Sequence, residues 1–221
     1  MSNPTFTKLQ FKGFSNEEMK SSSDAFFRNI KQRRTVRNFS SEEIDIQVIE
    51  NCIASALTAP SGANQQPWHF VVVSDKILKK EIREKAEEEE HEFYTKRASP
   101  EWLKAIAQLG TDEKKEFLEV APFLIVVFGE SYQIQNNGIQ VKNYYVQESV
   151  GISVGFLIAA LHFSGIATLT HTPSPMNFLN TILNRSNNER PYLILVCGLP
   201  ERNAQVPKIK KKSFNDSVSF F

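Results

Sequence analysis

Three arginines occur within five residues, at Arg33, Arg34 and Arg37. A guanidinium group presents a planar fork of N–H donors that matches the oxygens of a phosphate. The cluster could therefore bind a phosphorylated cofactor, although its residues alone are equally compatible with a solvated basic turn. The sequence contains no GxGxxG and no GxxxxGK[ST] motif, so a Rossmann or P-loop phosphate site is not indicated.

A second group combines an acid, a phenol and an amine. Glu87, Glu90 and Tyr94 are spaced i, i+3 and i+7, which places them on one face of a helix, and Lys115 follows about twenty residues later. Glu90 could bind the ammonium of an amino acid, while Tyr94 and Lys115 could bind its carboxylate. By pattern alone, the acidic run 87–90 is more typical of a solvated helix face.

Other reactive patterns are missing from the sequence. The four histidines show no HxxxH or HExxH spacing, so no metal site is expected. There is no GxSxG, and neither cysteine belongs to a recognisable nucleophile motif. Ser61 and Asn64 lie in a loop and offer hydrogen-bonding groups, but such residues are also ordinary turn formers.

Several of these segments resemble one enzyme family. The runs 33–37 (RRTVR) and 59–68 (APSGANQQPW) resemble the opening of the FMN-dependent nitroreductase superfamily. The block 90–97 (EHEFYTKR), followed by Trp102 and Lys115, resembles the substrate lid of its iodotyrosine deiodinase branch, and 168–173 (TLTHTP) resembles that branch's flavin loop. The resemblance extends from about residue 26 to residue 212.

The resemblance implies FMN as cofactor. The residues that it assigns to the phosphate, ribityl chain and flavin ring are Arg33, Arg34, Thr35, Val36, Arg37, Pro60, Ser61, Asn64, Thr170, His171, Thr172 and Lys211. Pro60 and Ser61 would reach the ring from a second subunit. Lys211 stands where the family usually has an arginine. A Thr172 hydroxyl beside flavin N5 would favour one-electron steps over hydride transfer.

The implied reaction is reductive removal of iodide, bromide or chloride from a 3-halotyrosine to give tyrosine. Glu90, Tyr94 and Lys115 would bind the zwitterion, and the Ala63 N–H would meet the phenolate. Two alternatives remain open. One is an NAD(P)H-dependent nitroreductase or quinone reductase, and the other is a non-catalytic flavoprotein that binds aromatic amino acids.

The predicted fold is α+β, with a central mixed sheet flanked by helices in an intertwined homodimer. Residues 1–22 are interpreted as an N-terminal arm, residues 23–221 as one domain, and residues of about 90–115 as a polar lid that is mobile without ligand. Strands are predicted at 69–73, 123–128, 166–169 and 192–196. Asp24 is predicted to cap the first helix, and helices are expected over 112–120 and 140–163. The last helix is so apolar that it should lie at the centre of the dimer.

Composition narrows the possible partners. The formal net charge is +1, which gives no case for nucleic acid. Cys52 and Cys197 lie in apolar patterns and should pack as small hydrophobic residues in a reducing compartment. The polar start of the chain lacks a signal-like apolar region, and the tract 150–163 is shorter than a bilayer span. We therefore expect a soluble, cytoplasmic protein without a membrane anchor.

Overall fold

The computed structural model describes residues 5–221, and the chain divides into two compact units at residues 33 and 34. The N-terminal unit contains helix α1 (Asn16–Ile30), which begins at a capping box between Ser15 and Glu18. The prediction that Asp24 caps this helix is wrong, since Asp24 lies inside it and pairs with Arg28 at 3.0 Å. The predicted arm therefore includes the first turns of α1, and its residues 1–4 lie outside the described part.

The second unit contains the remaining helices. They are α2 (Ile46–Ala56), α3 (Lys76–Glu92), α4 (Pro100–Ala107), α5 (Phe117–Val120), α6 (Val146–Phe163) and α7 (Phe178–Ile182). Asp45 caps α2 and Asp75 caps α3, each through a side-chain oxygen that accepts a backbone N–H bond. A 3₁₀ turn, Gly62–Asn64, follows α2, and a π-helical turn, Phe93–Arg97, follows α3.

Within residues 5–221, six strands form one sheet and one hairpin. They are β1 (Trp68–Val73), β2 (Phe123–Glu130), β3 (Tyr132–Ile134), β4 (Gln140–Lys142), β5 (Ala167–His171) and β6 (Glu189–Gly198). The sheet order is β1-β2-β6-β5, and every neighbouring pair is antiparallel. The expected mixed character reduces, in the described chain, to one parallel bridge between Thr35 and Thr168. All four predicted core strands are present.

Both faces of the sheet are covered by helices, as predicted. Alternate residues of β2 point to opposite faces, with Ile125 and Val127 on one side and Val126 and Phe128 on the other. The first face packs against α2 and α6, and the second against α3, α5 and α7. This double coverage explains why β2 is a continuous apolar run and does not alternate with polar residues. The free cysteines Cys52 and Cys197 are both buried, as expected.

Helix α6 is shorter than predicted. The prediction of helix from residue 140 is wrong, because residues 140–142 pair with β3 and Tyr145 adopts a left-handed conformation with φ 52° before the helix begins. Gly165, with φ 79°, ends it. By length and composition α6 is the one helix of the described chain that could cross a membrane, but it packs Val150, Leu157 and Leu161 into the core of this fold.

Three further segments differ between prediction and structure. The helix predicted over 112–120 reduces to the four residues of α5, and Lys115 precedes it in an irregular segment. The hairpin β3–β4 and helix α7 had no counterpart in the predicted elements, because each is very short.

Candidate active site

A cavity of about 290 Å³ lies where the end of α3, the π-helical turn and α4 approach the end of β5. The lining residues are Glu90, Phe93, Tyr94, Trp102, Ile106, Thr111, Lys115, Thr170, His171, Thr172 and Ser174. The fold thus brings the predicted acid, phenol and amine together with the predicted flavin loop. A larger depression of about 980 Å³ lies beside α2, α3 and α5, but none of the predicted site residues lines it.

Glu90 and Lys115 form an ion pair inside this cavity. Glu90 Oε2 lies 3.2 Å from Lys115 Nζ, and the two side chains are 14% and 3% exposed. Burial raises the pKa of Glu90, and the charge and hydrogen bond of Lys115 act in the opposite direction. Lys115 Nζ also donates to the Asp112 carbonyl. A buried pair of this kind is costly unless both charges keep partners.

Glu87 shares the predicted helical face but has a different role. Its Oε2 accepts from Arg83 Nη1 at 2.9 Å, and its Oε1 accepts from the Lys115 backbone N–H at 2.7 Å. Glu87 therefore fixes the segment that delivers Lys115 to the cavity. The acidic run is thus divided by function, because only Glu90 of these four residues lines the cavity.

Tyr94 belongs to an aromatic cluster that holds the lid. The Phe93 and Trp102 rings meet edge to face at 4.5 Å, and Tyr94 meets Trp102 at 6.0 Å. Lys115 Nζ lies 5.6 Å from the Tyr94 ring centre. Burial raises the pKa of Tyr94, whose side chain is hydrogen-bonded to Thr111. The expectation that the lid has little apolar surface is therefore wrong, since aromatic pairs contribute roughly 0.5–1.5 kcal/mol each.

His171 and Arg37 are buried groups whose hydrogen-bonding capacity is incompletely used. His171 Nε2 and Arg37 Nε are both buried without a hydrogen-bond partner in the described chain. Burial lowers the pKa of His171 to about 3, and the nearby charges of Lys115 and Arg37 act in the same direction. Burial also lowers the pKa of Arg37. Buried polar groups are normally hydrogen-bonded, so this pair fits a site whose bonds a ligand completes.

Thr170 and Thr172 flank His171 on the opposite side of the chain. Both are exposed, whereas His171 at the end of β5 is buried with its ring against Phe117 at 5.6 Å. The alternation follows from the extended backbone, in which successive side chains point in opposite directions. All three residues line the cavity that contains Glu90 and Lys115, with His171 at its buried side and the two threonines at its exposed side.

A sequence model of the protein family described as "Nitroreductase family" matches residues 30–199 of this chain. The chain belongs to the nitroreductase family.

Among its relatives is the iodotyrosine deiodinase of Haliscomenobacter hydrossis, which is 53% identical over 95% of this chain and 94% of that protein. The iodotyrosine deiodinase of Nematostella vectensis is 41% identical over 90% of this chain and 76% of that protein. A crystal structure of oxidized iodotyrosine deiodinase bound to FMN and 3-iodo-L-tyrosine superposes with a TM-score of 0.75 and 29% identity, covering 88% of this chain and 100% of the other. A nitroreductase from Bacteroides fragilis with bound FMN, 18% identical with a TM-score of 0.66, shows the shared fold alone.

The arginine segment of this nitroreductase-family chain lies beside β5, at the edge of the sheet. Arg34 donates to the Pro207 carbonyl, and the Val36 N–H donates to the Thr168 carbonyl at 3.2 Å. Thr35 forms the parallel bridge to Thr168, and the Val36 side chain is buried. Any cofactor contact of Val36 would therefore involve its backbone.

Two further residues of the predicted cofactor set are Arg33 and Lys211. Arg33 closes the N-terminal unit, and Lys211 is exposed in the segment after β6. The roles predicted for both remain predictions from the sequence.

The loop that contains Pro60, Ser61, Ala63 and Asn64 does not line the cavity. It is conformationally unusual, because Ala63, Asn64 and Gln66 all have positive φ, at 50°, 53° and 49°. For a residue other than glycine this conformation costs about 1–2 kcal/mol. Strain of this kind persists only where surrounding contacts impose it, which makes the loop a candidate functional element.

One group of potential metal ligands was not visible in the sequence. His69, Glu130 and Glu189 come from three neighbouring strands, and their ligand atoms lie within 4.8 Å of one another. Residues so distant in sequence carry no spacing signal. Arg185 forks onto Glu189 with bonds of 2.7 and 2.5 Å, which already balances the Glu189 charge. We assign no metal to this group.

Proposed function

We propose that this protein is an FMN-dependent oxidoreductase that removes halide from 3-halotyrosines, with 3-iodo-L-tyrosine as the reference substrate and tyrosine as the product. The observation that carries the proposal is the buried Glu90–Lys115 pair beside Tyr94, which shares one cavity with Thr170, His171 and Thr172. A nitroaromatic compound or a quinone has no pair of opposite charges for such a clamp to bind.

The ion pair is arranged to exchange partners with a zwitterion. In the free protein Glu90 and Lys115 neutralise each other at 3.2 Å. The substrate ammonium replaces Lys115 at Glu90, and the substrate carboxylate then takes Lys115 together with the Tyr94 hydroxyl. Each buried charge keeps an opposite charge throughout, so the large cost of an unpaired buried ion is avoided.

FMN fits the unused hydrogen-bonding groups of the site. Arg33, Arg34, Thr35, Arg37 and Lys211 bind its phosphate and ribityl region, to which Val36 offers only its carbonyl because its N–H already bonds Thr168. Thr170, His171 and Thr172 border the ring. When bound in its reduced form, FMN would supply the two electrons that, together with one proton from solvent, replace a carbon–halogen bond by a carbon–hydrogen bond, with the halide leaving as the anion. His171, whose pKa is about 3, stays neutral and adds no charge to the site at physiological pH. The Thr172 hydroxyl donates a hydrogen bond to the ring.

A second subunit completes the site in this proposal. Pro60, Ser61 and Asn64 lie on a loop that does not line the cavity of their own chain, so they reach the flavin of the partner. Exposed apolar side chains on α6, Ile152, Phe156 and Phe163, suit the dimer interface. The segment after β6 extends to the partner. The two buried free thiols suit a cytoplasmic protein.

The decisive experiment follows flavin and halide together. The purified protein is reduced anaerobically with dithionite, 3-iodotyrosine is added, and the visible spectrum and free iodide are recorded. Reoxidation of the flavin with stoichiometric iodide is expected. Reduced flavin that persists in the presence of bound ligand indicates a non-catalytic flavoprotein, and a colourless protein that takes up no FMN contradicts the proposal.

A matched pair of variants tests the clamp. Glu90→Gln should weaken 3-iodotyrosine binding by at least about 100-fold, because it leaves the substrate ammonium in the closed site without a counter-ion. Glu88→Gln changes an exposed neighbour paired only with Lys85 and serves as the control. A general nitroreductase would be indifferent to both changes, and its activity towards nitroaromatic compounds with NAD(P)H would remain.

A further inference from the structure

The strained loop 61–66 is attached to the rest of the fold mainly through Gln65. The Gln65 side chain donates from Nε2 to the Lys142 carbonyl at 3.2 Å and accepts at Oε1 from the Tyr144 N–H at 2.7 Å. Its own carbonyl accepts from Gln133 Nε2 at 2.9 Å. One residue thus connects the loop to β3, to β4 and to the entry of α6.

The partners of Gln65 are themselves held in place. Asn143, which lies between Lys142 and Tyr144, is buried and donates from Nδ2 to the Glu130 carbonyl at 2.8 Å. Asn188 donates to the Tyr132 carbonyl at 2.8 Å. The hairpin of residues 132–142 is therefore fixed to the end of β2 and the start of β6. Gln65 is in this way connected to the sheet through the hairpin.

Close packing restricts the loop from the other side. A Cβ atom added at Gly62 would come within 2.8 Å of the Tyr145 ring and 3.0 Å of the Tyr144 carbonyl. The Gly62 N–H donates to Ser149 Oγ at 3.3 Å. The loop therefore lies directly against the start of α6.

The fixed loop leaves one backbone donor open. The N–H groups of Asn64 and Gln65 bond the carbonyls of Ser61 and Gly62, and that of Gln66 bonds Ser61 Oγ. Within residues 5–221 the Ala63 N–H has no hydrogen-bond partner. Ala63 is exposed and left-handed, with φ 50°, a conformation that persists where surrounding contacts impose it.

We propose that Gln65 is a positioning residue that holds the Ala63 N–H for the phenolate oxygen of the halotyrosine bound in the partner subunit, since the 61–66 loop does not line the cavity of its own chain. The inference rests on the proposed function, and it extends that function to a residue that does not touch the substrate. The ligand chemistry that it predicts is specific, since an oriented N–H recognises an ionised phenol and contributes nothing to a ring without a hydroxyl group.

The test compares two ligands on the FMN-loaded enzyme by calorimetry. 3-Iodotyrosine carries the phenol, whereas 3-iodophenylalanine keeps the zwitterion and the iodine but lacks the hydroxyl. In Gln65→Met, which preserves side-chain length, the preference for 3-iodotyrosine over 3-iodophenylalanine should fall by about 10-fold or more, the equivalent of a hydrogen bond to a charged group. Binding of 3-iodophenylalanine should stay within about 2-fold of wild type, and the gain in 3-iodotyrosine affinity as pH rises through phenol ionisation should shrink in parallel.

Two further variants make the result decisive. Gln133→Met removes the bond to the Gln65 carbonyl and should shift the preference in the same direction. Gln47→Met removes an exposed glutamine whose side chain bonds only Asn51 and should change nothing. An unchanged ligand preference in both loop variants, or an equal loss of both ligands, overturns the role of Gln65. Failure of the wild-type enzyme to bind 3-iodotyrosine refutes instead the proposed function.

Discussion

The buried His171 leads to a prediction about stability and pH. Its folded-state pKa is about 3, against an ordinary value of 6.5, because the ring is buried and faces the charges of Lys115 and Arg37. The folded protein therefore resists a proton that the unfolded chain accepts. The contribution of the neutral His171 to the free energy of unfolding is complete well above pH 6.5 and is lost progressively as pH falls towards 3.

The magnitude follows from the two pKa values. With a His171 pKa of 6.5 in the unfolded state and about 3 in the folded state, the unfolding free energy falls by about 2 kcal/mol between pH 7 and pH 5. The total loss approaches about 5 kcal/mol below pH 3. A His171→Leu variant has no titrating ring. The difference in unfolding free energy between wild type and variant should therefore shift by about 2 kcal/mol in favour of the variant from pH 7 to pH 5.

The assay is urea unfolding of FMN-free protein at fixed concentration across this pH range, because FMN and dimer formation would both add to the measured stability. Phe117→Leu is the control, since it alters the ring that contacts His171 but leaves the imidazole in place. It should keep the wild-type pH dependence. Parallel pH curves for wild type and His171→Leu would refute the assignment of a buried neutral imidazole.

Three other changes test the proposed chemistry and assembly. Thr172→Ala should slow iodide release about 10-fold in anaerobic single turnover, with 3-iodotyrosine binding within about 3-fold of wild type; an unchanged rate contradicts its role. Trp102→Ala removes the aromatic contacts of the lid and should speed tryptic cleavage after Lys96 and Arg97. In the wild type, 3-iodotyrosine should protect the same sites. Equal cleavage of the wild type with and without ligand argues against a lid that becomes ordered on binding. Phe156→Lys should shift the protein to monomer in sedimentation and abolish turnover, whereas Ile77→Lys, on the 77% exposed Ile77, should do neither.

Local patterns predicted the elements that depend on local chemistry. The starts of α2 and α3 depend on such local chemistry, because the capping oxygens of Asp45 and Asp75 each act on N–H groups of the helix's own first turn. The continuous apolar runs at 123–128 and 192–196 predicted buried strands, and both strands lie at the centre of the sheet. Patterns failed where two signals compete, as at residues 140–145, where an apolar tract follows a polar hairpin without an obvious break.

The candidate site was likewise predicted only in part from local patterns. Helical spacing was enough to place Glu90 and Tyr94 on one face, and family resemblance was needed to pair them with Lys115 and the 168–173 segment. Spacing could not distinguish Glu87, which supports the backbone of Lys115, from Glu90, which lines the cavity. Neither pattern nor resemblance indicated that Gln65 connects the 61–66 loop to the hairpin.

The sequence by itself determined the chemical inventory and part of the local structure: the arginine cluster, the acid–phenol–amine set and the buried strands. Only the tertiary structure decided which of these groups meet. The Glu90–Lys115 bond, the buried His171 ring and the open Ala63 amide all depend on contacts between segments far apart in the chain. Burial and distance set pKa values and hydrogen bonding, and both quantities exist only after the chain has folded.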